Sequence, residues 1–239
     1  MKKDEVGALI RKIGIIPAIR VSNGPDAHFA AEAVTRSGIP IVEITMTVPG
    51  ALDLISHLVK HDPNTVVGAG TVLDIDTARR CADAGACFIT APEFNLDIVN
   101  FAAKEQLTVA PGALTPTEVI AAWRAGADFI KVFPCSLIGG EKYIKALHTS
   151  VPDIPLIAAG GINQQTASHY IVSGATAIGV GSELIPSEAI ARRQTRRIRE
   201  LAQRFLGFVK QGRERAEEIK RNTVVLKYEG TEDCEQPLP

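Results

Sequence analysis

Two ionisable residues lie within apolar stretches of the chain, Lys131 in FIKVFP (129–134) and Glu43 in IVEITM (41–46). Burial among apolar neighbours disfavours a charged side chain, so it favours the neutral lysine amine that attacks a carbonyl to form a Schiff base. A carboxylate beside that amine can move protons while the imine forms and breaks down. The pair therefore indicates imine-based catalysis. A lysine on the outer face and a purely structural Glu–Lys ion pair are the alternatives.

A second group of residues could hold an anionic substrate. Arg20 ends the run PAIR, Thr71 lies in GAGTV (68–72), and small residues follow two later apolar runs in AAGGIN (158–163) and GVGS (179–182). An arginine and the backbone N–H groups of such loops bind carboxylate or phosphate oxygens well. The predicted binding residues are Arg20, Thr71, Phe133, Gly160, Gly161, Gly181 and Ser182. A rim salt bridge and tight packing of the glycines are the alternatives.

Other catalytic chemistries lack their usual sequence patterns. The five histidines show no HxH or HExxH spacing, no acidic cluster resembles a metal cage, and the four cysteines have no paired metal-ligand spacing. There is no GxSxG motif, and Cys135 has no histidine near it in sequence, which indicates packing at the rim of a pocket. We therefore expect no catalytic metal ion.

The candidate residues lie on a repeating pattern of short apolar runs. These runs begin near residues 15, 41, 66, 87, 107, 129, 155 and 177, with 20 to 26 residues between successive starts. Each gap holds a helix-like segment, and Asp74, Thr115 and Gly126 are helix-boundary signals in the expected places. Eight strand–helix units predict a (β/α)8 TIM barrel with its site at the carboxyl ends of the strands. A doubly wound open sheet is the alternative, although no GxGxxG opens the first unit.

Composition limits the class of protein. The chain has 239 residues, 46% of them hydrophobic and 22% charged, which suffices to bury the core of one barrel and excludes a disordered chain. Its 26 Lys and Arg against 27 Asp and Glu give a net charge of −1, so no overall field attracts nucleic acid or anionic lipid. No apolar stretch reaches the ~20 residues of a membrane span, and no signal-like segment opens the chain. We expect a soluble cytoplasmic protein that binds neither nucleic acid nor membrane.

The pattern changes near the carboxyl end of the chain. Residues 187–221 are highly charged, with apolar residues at helical spacing, which predicts an amphipathic helix. We therefore divide the chain into a barrel of residues 1–186 and an extension of residues 187–239, packed on the barrel or at an oligomer interface. Within that extension, residues 223–239 carry one short apolar run that could be an extra strand, an oligomer contact or a loose tail.

Taken together, the motifs resemble those of the 2-keto-3-deoxy-6-phosphogluconate (KDPG) and 4-hydroxy-2-oxoglutarate (KHG) aldolase family. The matching segments are VEITMTVPGA (42–51), VGAGTVL (67–73), PGALTPTE (111–118), FIKVFP, AAGGIN and GVGS. They occur in the family's order, and the resemblance runs from about residue 8 to residue 186. It implies a class I aldolase barrel that needs no cofactor, acts on a small 2-keto acid and assembles as a homotrimer.

The resemblance also implies roles for individual residues. Lys131 matches the lysine that forms the Schiff base with the pyruvate portion, and Glu43 matches the glutamate that moves protons. Thr71 matches a threonine that helps to bind the pyruvyl carboxylate. The glycines and the serine after the last two strands match residues that hold a distal phosphate. The implied substrate-binding set is Arg20, Thr47, Thr71, Pro92, Phe133, Gly160, Gly161, Gly181 and Ser182.

Three residues depart from the family pattern. Thr47 stands where many members have a substrate-binding arginine, Ala159 where many have a threonine before the paired glycines, and Ala91 where a serine before the proline is common. Without an arginine at position 47, Arg20 would carry more of the anion binding. These departures bear on the choice of substrate.

The expected reaction is cleavage of KDPG to pyruvate and glyceraldehyde 3-phosphate, a lyase step of the Entner–Doudoroff route of carbohydrate metabolism. The nearest alternatives use the same imine chemistry on KHG or on 2-keto-3-deoxy-6-phosphogalactonate. A phosphosugar isomerase or epimerase on the same barrel is more distant. So is a non-catalytic sugar-phosphate-binding module, in which Lys131 and Glu43 would only be paired.

Overall fold

The computed structural model describes residues 1–229, with side chains described for residues 1–222. The strands are β1 (Ile15–Ile19), β2 (Ile41–Thr45), β3 (Val66–Gly70), β4 (Phe88–Thr90), β5 (Thr108–Ala110), β6 (Gly112–Ala113), β7 (Ile130–Val132), β8 (Leu156–Ala159) and β9 (Ala175–Val180). The α-helices are α1 (Lys3–Ile13), α2 (Gly24–Thr35), α3 (Ala51–His61), α4 (Ile75–Asp83), α5 (Leu96–Lys104), α6 (Pro116–Arg124), α7 (Glu141–Ser150), α8 (Ala167–Val172), α9 (Ser187–Ala191) and α10 (Thr195–Glu229). A short 3₁₀ helix, Cys135–Ile138, precedes α7.

The strands form one parallel sheet in the order β5-β4-β3-β2-β1-β9-β8-β7-β6. Because β5 and β6 are separated only by Pro111, the two edges of the sheet meet and the barrel closes. The predicted (β/α)8 barrel is confirmed, with each strand starting within two residues of its predicted position. The predicted fifth strand is divided in two at Pro111, which has no N–H to donate to a neighbouring strand.

Side chains along each strand alternate between the inside of the barrel and the surrounding helices. On β3, Val66 belongs to an inner apolar cluster, whereas Val67 and Ala69 pack in the larger core that contacts the helices. The inner cluster consists of Val6, Ile10, Ile16, Ile41, Val66, Phe88, Ala110, Phe129, Ile157 and Ala177. Most of its strand residues come from near the amino ends of their strands, so we call it the bottom cluster.

Helix α1 closes the barrel at the bottom cluster. Val6 and Ile10, one helical turn apart, insert into that cluster. Lys3 pairs with Asp128 at 3.0 Å, and its backbone carbonyl accepts a hydrogen bond from Thr108 Oγ1 at 3.2 Å. The sequence predicted no element here, because these residues precede the first strand of the repeat. Since α1 fills the bottom, access to the barrel interior lies at the opposite end.

Two predicted helix starts are confirmed. Asp74 Oδ1 accepts a hydrogen bond from the N–H of Thr77 at 2.7 Å at the start of α4. Thr115 and Glu118 form a capping box on α6, in which each side chain accepts from the other residue's backbone N–H. Both arrangements satisfy N–H groups that have no carbonyl partner in the first turn. Gly126, just after α6, has a φ of 95°, as expected of a glycine that ends a helix.

The predicted helical extension is confirmed, but it is divided into two helices, where residues 187–221 were expected to form one. Helix α9 ends at Ala191, and Arg193 adopts a φ of 51° where the chain turns before α10. The apolar spacing nevertheless identifies the buried face of the extension. Its buried side chains are Ile190, Ile198, Leu201, Phe205 and Val209. Helix α10 packs mainly on α8 and α2.

Helix α10 continues through Glu229, so residues 223–229 are helical and the extra-strand interpretation of this run is wrong. Residues 230–239, with the rest of the predicted tail, lie outside the described residues. Among the helices of the described chain, none combines the length and the hydropathy needed to cross a membrane.

Candidate active site

Lys131 and Glu43 meet inside the barrel. Each is an inward-facing residue of its strand, on β7 and β2 respectively. Lys131 Nζ lies 3.6 Å from Glu43 Oε2, and the two side chains are 12% and 4% exposed. This position excludes a lysine on the outer face of the barrel. A charged pair with so little water contact is favourable only when further polar groups satisfy both partners.

Thr90 supplies the further polar group. Its hydroxyl donates a hydrogen bond to Glu43 Oε2 at 2.7 Å and accepts one from Lys131 Nζ at 3.0 Å. Thr90 is the last residue of β4 and is 1% exposed. Sequence reasoning missed it because a threonine in a strand is unremarkable. The available signal was its position two residues after Phe88 on the same strand, because side chains two residues apart point to the same face.

Gly70 leaves room for the carboxylate of Glu43. A Cβ atom at position 70 would lie 2.1 Å from Glu43 Oε1, closer than any real contact. Gly70 is the last residue of β3, which lies beside β2 in the sheet. The glycine in the GAGTV motif is therefore required here by the neighbouring catalytic candidate.

One cavity of about 610 Å³ opens at the carboxyl ends of the strands, above the Lys131–Thr90–Glu43 chain. A cavity of this size suits a small-molecule ligand. The predicted site residues that line it are Arg20, Glu43, Lys131, Phe133, Gly160, Gly161, Gly181 and Ser182. Ala159, one of the departures from the family pattern, lines it as well. Phe133 borders the nucleophile candidate, with its ring centroid 5.8 Å from Lys131 Nζ.

The glycines after β8 and β9 form one side of the cavity. Gly160 and Gly161 have φ values of 89° and 80°, which glycine adopts without strain. A Cβ at Gly161 would also lie 2.0 Å from Ser136 Oγ, so the loop after β8 packs tightly on the 3₁₀ helix. Gly181 and Ser182 follow the adjacent strand β9. Strands β8 and β9 are the seventh and eighth strands of the barrel when β5 and β6 are counted as one. Loops after the seventh and eighth strands are the usual place of phosphate sites in such barrels.

Three predicted binding residues do not belong to the lining that the described residues form: Thr47, Thr71 and Pro92. Thr47 exchanges a hydrogen bond of 2.9 Å with Thr45, Oγ1 to Oγ1. Thr71 has a φ of 59° and accepts a hydrogen bond from Arg20 Nη2 at 3.4 Å. Thr71 therefore contacts the cavity through Arg20. The substrate-binding roles of these three residues remain predictions.

Helix α9 covers the outer part of the cavity, where sequence reasoning predicted no contact. Ser187 and Ile190 of α9 line it, together with Asp26 of α2. Asp26 pairs with Arg193 at 2.8 Å, and the Arg193 guanidinium lies 4.9 Å from the centre of the Phe29 ring. These contacts join the turn after α9 to α2, so part of the C-terminal extension forms a wall of the candidate site.

Cys135 lies beside the cavity and is fully buried. Its thiol contacts the carbonyl oxygen of Gly160 at 3.6 Å. Burial raises the pKa of the Cys135 thiol, and burial also raises the pKa of the neighbouring Tyr170 hydroxyl. A buried thiol with a raised pKa is a poor nucleophile, in keeping with the predicted packing role. Within residues 1–222, no group of three or more His, Cys, Asp or Glu side chains is arranged to hold a metal ion.

Comparison with protein families and curated proteins gives one consistent result. Residues 6–201 match the family model described as "KDPG and KHG aldolase". A 2-dehydro-3-deoxy-phosphogluconate aldolase of Pseudomonas aeruginosa is 28% identical over 86% of this chain and 93% of its own length. A 2-dehydro-3-deoxy-6-phosphogalactonate aldolase of Escherichia coli K12 is 33% identical over 83% of this chain and 96% of its own. The match to residue 201 extends beyond the residue 186 expected from the motifs.

Solved structures agree with the sequence comparison. The 2-keto-3-deoxy-6-phosphogluconate aldolase of Zymomonas mobilis ZM4, solved with 3-phosphoglycerate, superposes with a TM-score of 0.78 at 27% identity, covering 86% of this chain and 97% of that one. The KDPG aldolase of Legionella pneumophila, with pyruvate captured as a covalent carbinolamine intermediate, gives a TM-score of 0.76 at 28% identity, covering 82% and 95%. Both structures share the barrel described above.

Proposed function

We propose that this chain, which belongs to the KDPG and KHG aldolase family, is a class I aldolase that cleaves KDPG through a Schiff base on Lys131. The observation that carries the proposal is the buried chain of Lys131, Thr90 and Glu43 at the floor of a cavity large enough for a sugar acid. Imine chemistry needs an amine and a proton-transferring group within reach of one carbonyl, and this arrangement supplies both.

In the first stage, the neutral amine of Lys131 attacks the C2 carbonyl of the substrate and forms a carbinolamine. Loss of the C2 hydroxyl as water then leaves a protonated imine. Glu43 first takes the proton that converts the Lys131 ammonium to the amine, and gives it to the C2 oxygen. It then takes a proton from the carbinolamine nitrogen and gives it to the departing hydroxyl. Its carboxylate lies 3.6 Å from Lys131 Nζ, so these transfers need only a small movement or one intervening group.

In the second stage, Glu43 removes the proton of the C4 hydroxyl and the C3–C4 bond breaks. The bonding electrons pass into the protonated imine and give an enamine, while C4 becomes the aldehyde of glyceraldehyde 3-phosphate. Protonation of the enamine at C3 and hydrolysis of the imine release pyruvate and restore Lys131. The water lost in the first stage is regained at this step, so the overall reaction is a cleavage without redox change.

The cavity supplies groups of suitable chemistry for both ends of the substrate. Arg20 offers a guanidinium, and the backbone of Gly160, Gly161, Gly181 and Ser182 offers N–H groups. We assign the distal phosphate to the glycine loops, and the carboxylate to Arg20 with Thr71, which it contacts. Thr47, which follows β2, and Pro92, which follows β4, complete the proposed set.

Two further substrates belong to the same chemistry. The 33% identity to a 2-dehydro-3-deoxy-6-phosphogalactonate aldolase favours the C4 epimer as a second candidate, and KHG is the unphosphorylated one. Specificity constants for the three substrates separate them. A preference for either phosphorylated substrate of at least tenfold over KHG supports a phosphate role for the glycine loops, whereas equal constants contradict it.

Assembly and location remain part of the proposal. The family resemblance supports a homotrimer in the cytoplasm. Helix α10 of the C-terminal extension packs on α8 and α2 of the barrel. Light scattering of the purified protein measures the oligomeric state, and fractionation of the source cells measures the location. A monomer at working concentrations, or a membrane-associated fraction, would contradict these assignments.

Trapping with sodium borohydride tests the central step. The protein is reduced in the presence of pyruvate, and peptide mass spectrometry locates the adduct. We expect a pyruvate-derived adduct on Lys131, none in the Lys131→Ala variant, and normal labelling in Lys60→Ala, a control on the exposed surface of α3. Folded wild-type protein without an adduct would overturn the aldolase proposal and favour an isomerase or a binding module.

A further inference from the structure

The hydroxyl of Thr90 is the only bridge between Lys131 and Glu43 among the hydrogen bonds of the described residues. We propose that Thr90 is a proton relay between Lys131 Nζ and Glu43 during formation and hydrolysis of the imine. This inference rests on the proposed function, because it concerns individual proton transfers within that reaction.

The distances favour the route through the hydroxyl over direct transfer. Nζ and Oε2 are 3.6 Å apart, which is beyond hydrogen-bond range, whereas the two links through Thr90 Oγ1 measure 3.0 and 2.7 Å. A threonine hydroxyl has one proton to donate and lone pairs to accept with. Thr90 uses its proton on Glu43 and a lone pair on Lys131, so the chain runs in one direction, N–H to O–H to carboxylate.

The relay conserves atoms and charge at each step. The ammonium of Lys131 first passes a proton through Thr90 to Glu43, and the acid so formed protonates the C2 oxygen as the neutral amine attacks. The nitrogen is then positively charged and must lose a second proton. That proton passes to Thr90 Oγ1 while the original hydroxyl proton passes to Glu43, so threonine is unchanged and the carboxylic acid is formed. The acid then protonates the departing C2 hydroxyl, and water leaves. Hydrolysis runs through the same steps in reverse.

The backbone holds Thr90 in place independently of its hydroxyl. Its carbonyl accepts a hydrogen bond from the N–H of Val72 at 3.2 Å, and Thr90 is in register with Ala110 on β5. Phe88, two residues earlier, fixes the same strand in the bottom cluster. Substitution by valine keeps the shape of the side chain and replaces the hydroxyl with a methyl group, so it removes the relay together with the two hydrogen bonds of Thr90.

Cleavage of the C3–C4 bond and exchange at C3 use Glu43 with the substrate itself, and Thr90 has no part in them. Loss of the relay should therefore slow imine formation and hydrolysis while leaving C3 exchange in the imine intact. A Thr90 that merely kept Glu43 in position would affect exchange as well. The rate of imine formation and hydrolysis relative to the rate of C3 exchange therefore distinguishes a relay from a residue that only positions Glu43.

The experiment compares Thr90→Val and Thr90→Ser with Thr108→Val. Thr108, on β5, is also 1% exposed and also donates its hydroxyl to an oxygen, but it does so at the bottom of the barrel. Rapid quenching with borohydride measures the rate of the pyruvate adduct. Mass spectrometry of pyruvate incubated in D2O measures how many methyl hydrogens are replaced in each binding event, and thermal melting checks the fold.

For Thr90→Val we expect imine formation slowed by at least ~10²-fold, the lower end of the range for lost acid–base catalysis, and a shift of early product from singly towards multiply deuterated pyruvate. Thr90→Ser should recover most of the rate, and Thr108→Val should match wild type. An unchanged rate in Thr90→Val, no recovery in Thr90→Ser, or a shift towards singly deuterated pyruvate overturns the relay. A wild-type protein that forms no adduct overturns the aldolase proposal itself, and the relay with it.

Discussion

The two ends of the barrel interior are built from the same inward-facing positions but filled with opposite kinds of side chain. At the bottom, Phe88 and Phe129 pack with aliphatic residues against α1 in an apolar cluster. At the carboxyl end, Glu43, Thr90 and Lys131 form a hydrogen-bonded chain under an open cavity. The bottom can be optimised for packing because no reaction occurs there, while the top keeps buried polar groups that packing alone would not select.

Strand β3 spans both ends and presents a glycine to each. A Cβ at Gly68 would lie 2.2 Å from the Phe88 ring, and a Cβ at Gly70 would lie 2.1 Å from the Glu43 carboxylate. Gly68 therefore leaves room for a ring of the core, and Gly70, two residues further along the strand, leaves room for a carboxylate of the site. This contrast predicts which changes affect activity and which affect stability.

The largest effect should come from the top of the barrel. Glu43→Gln keeps the size of the side chain and removes its ability to accept a proton, so kcat should fall by about 10²- to 10⁴-fold. Steady-state assays of aldol cleavage measure the loss, with the exposed Glu105→Gln as the control. A near-wild-type kcat would remove Glu43 from its proposed role.

At the bottom, Phe129→Ala should lower the free energy of unfolding by about 3–5 kcal/mol, because it leaves a cavity among fully buried side chains. The kcat of the folded fraction should stay close to wild type, since Phe129 is two residues from Lys131 but packs away from the cavity. Urea denaturation gives the stability, and Phe129→Leu should lose less. If the loss appears mainly in kcat, the division between the two ends is wrong.

A smaller and sharper contrast comes from the paired variants Gly68→Ala and Gly70→Ala. The methyl of the first meets the Phe88 ring and should cost about 1–3 kcal/mol of stability by overpacking, with kcat largely preserved. The second displaces the Glu43 carboxylate and should lower kcat at least tenfold. Denaturation curves measure the loss of stability in each variant, and cleavage assays measure the loss of kcat. If both variants lose stability and kcat equally, the assignment of Gly68 to the core and Gly70 to the site is contradicted.

The smallest effect lies outside both ends, at the capping box of α6. Thr115→Ala should cost about 1 kcal/mol without a change in kcat. Hydrogen bonds from the backbone N–H groups of Thr115 and Leu114 lower the pKa of Glu118 below its ordinary value of 4.5. Because the folded state binds this proton less readily, the stabilisation is present above about pH 4.5 and is lost as the pH falls through the lowered pKa.

Melting curves between pH 3 and 7 for wild type and Glu118→Gln measure this last contribution. The difference in melting temperature between the two proteins should shrink as the pH falls below the ordinary carboxyl range. A difference that grows towards low pH would mean that Glu118 is stabilised in its protonated form, the opposite of the proposed capping geometry.

The barrel could be predicted from the sequence because its strands are continuous apolar runs at nearly constant spacing. The capping residues Asp74 and Thr115 were equally clear, since their hydrogen bonds are local. The pairing of Lys131 with Glu43 followed from the barrel geometry, which brings inward residues of distant strands to one mouth. These features depend either on neighbours in sequence or on the symmetry of the fold.

The features that could not be predicted depend on particular contacts between distant residues. The sequence does not distinguish Thr90 from other strand residues, because its contacts depend on how far along the barrel axis Glu43 and Lys131 lie. The turn at Arg193 relies on Asp26 and Phe29 of another helix, and no local signal interrupts the helical pattern there. The division of the fifth strand is the exception, because Pro111 was visible and its missing N–H could have been used.

The proposed catalytic residues come from both halves of the barrel: Glu43 and Thr90 lie on β2 and β4, and Lys131 lies on β7. Strands β1, β9 and β8 separate β2 from β7 in the sheet, so the amine and the carboxylate meet across the interior rather than along a ladder. A chain with only one half of the sheet assembled would hold secondary structure but not the site. During refolding, the return of borohydride trapping at Lys131 would therefore serve as a chemical reporter of barrel closure, distinct from the return of helical signal.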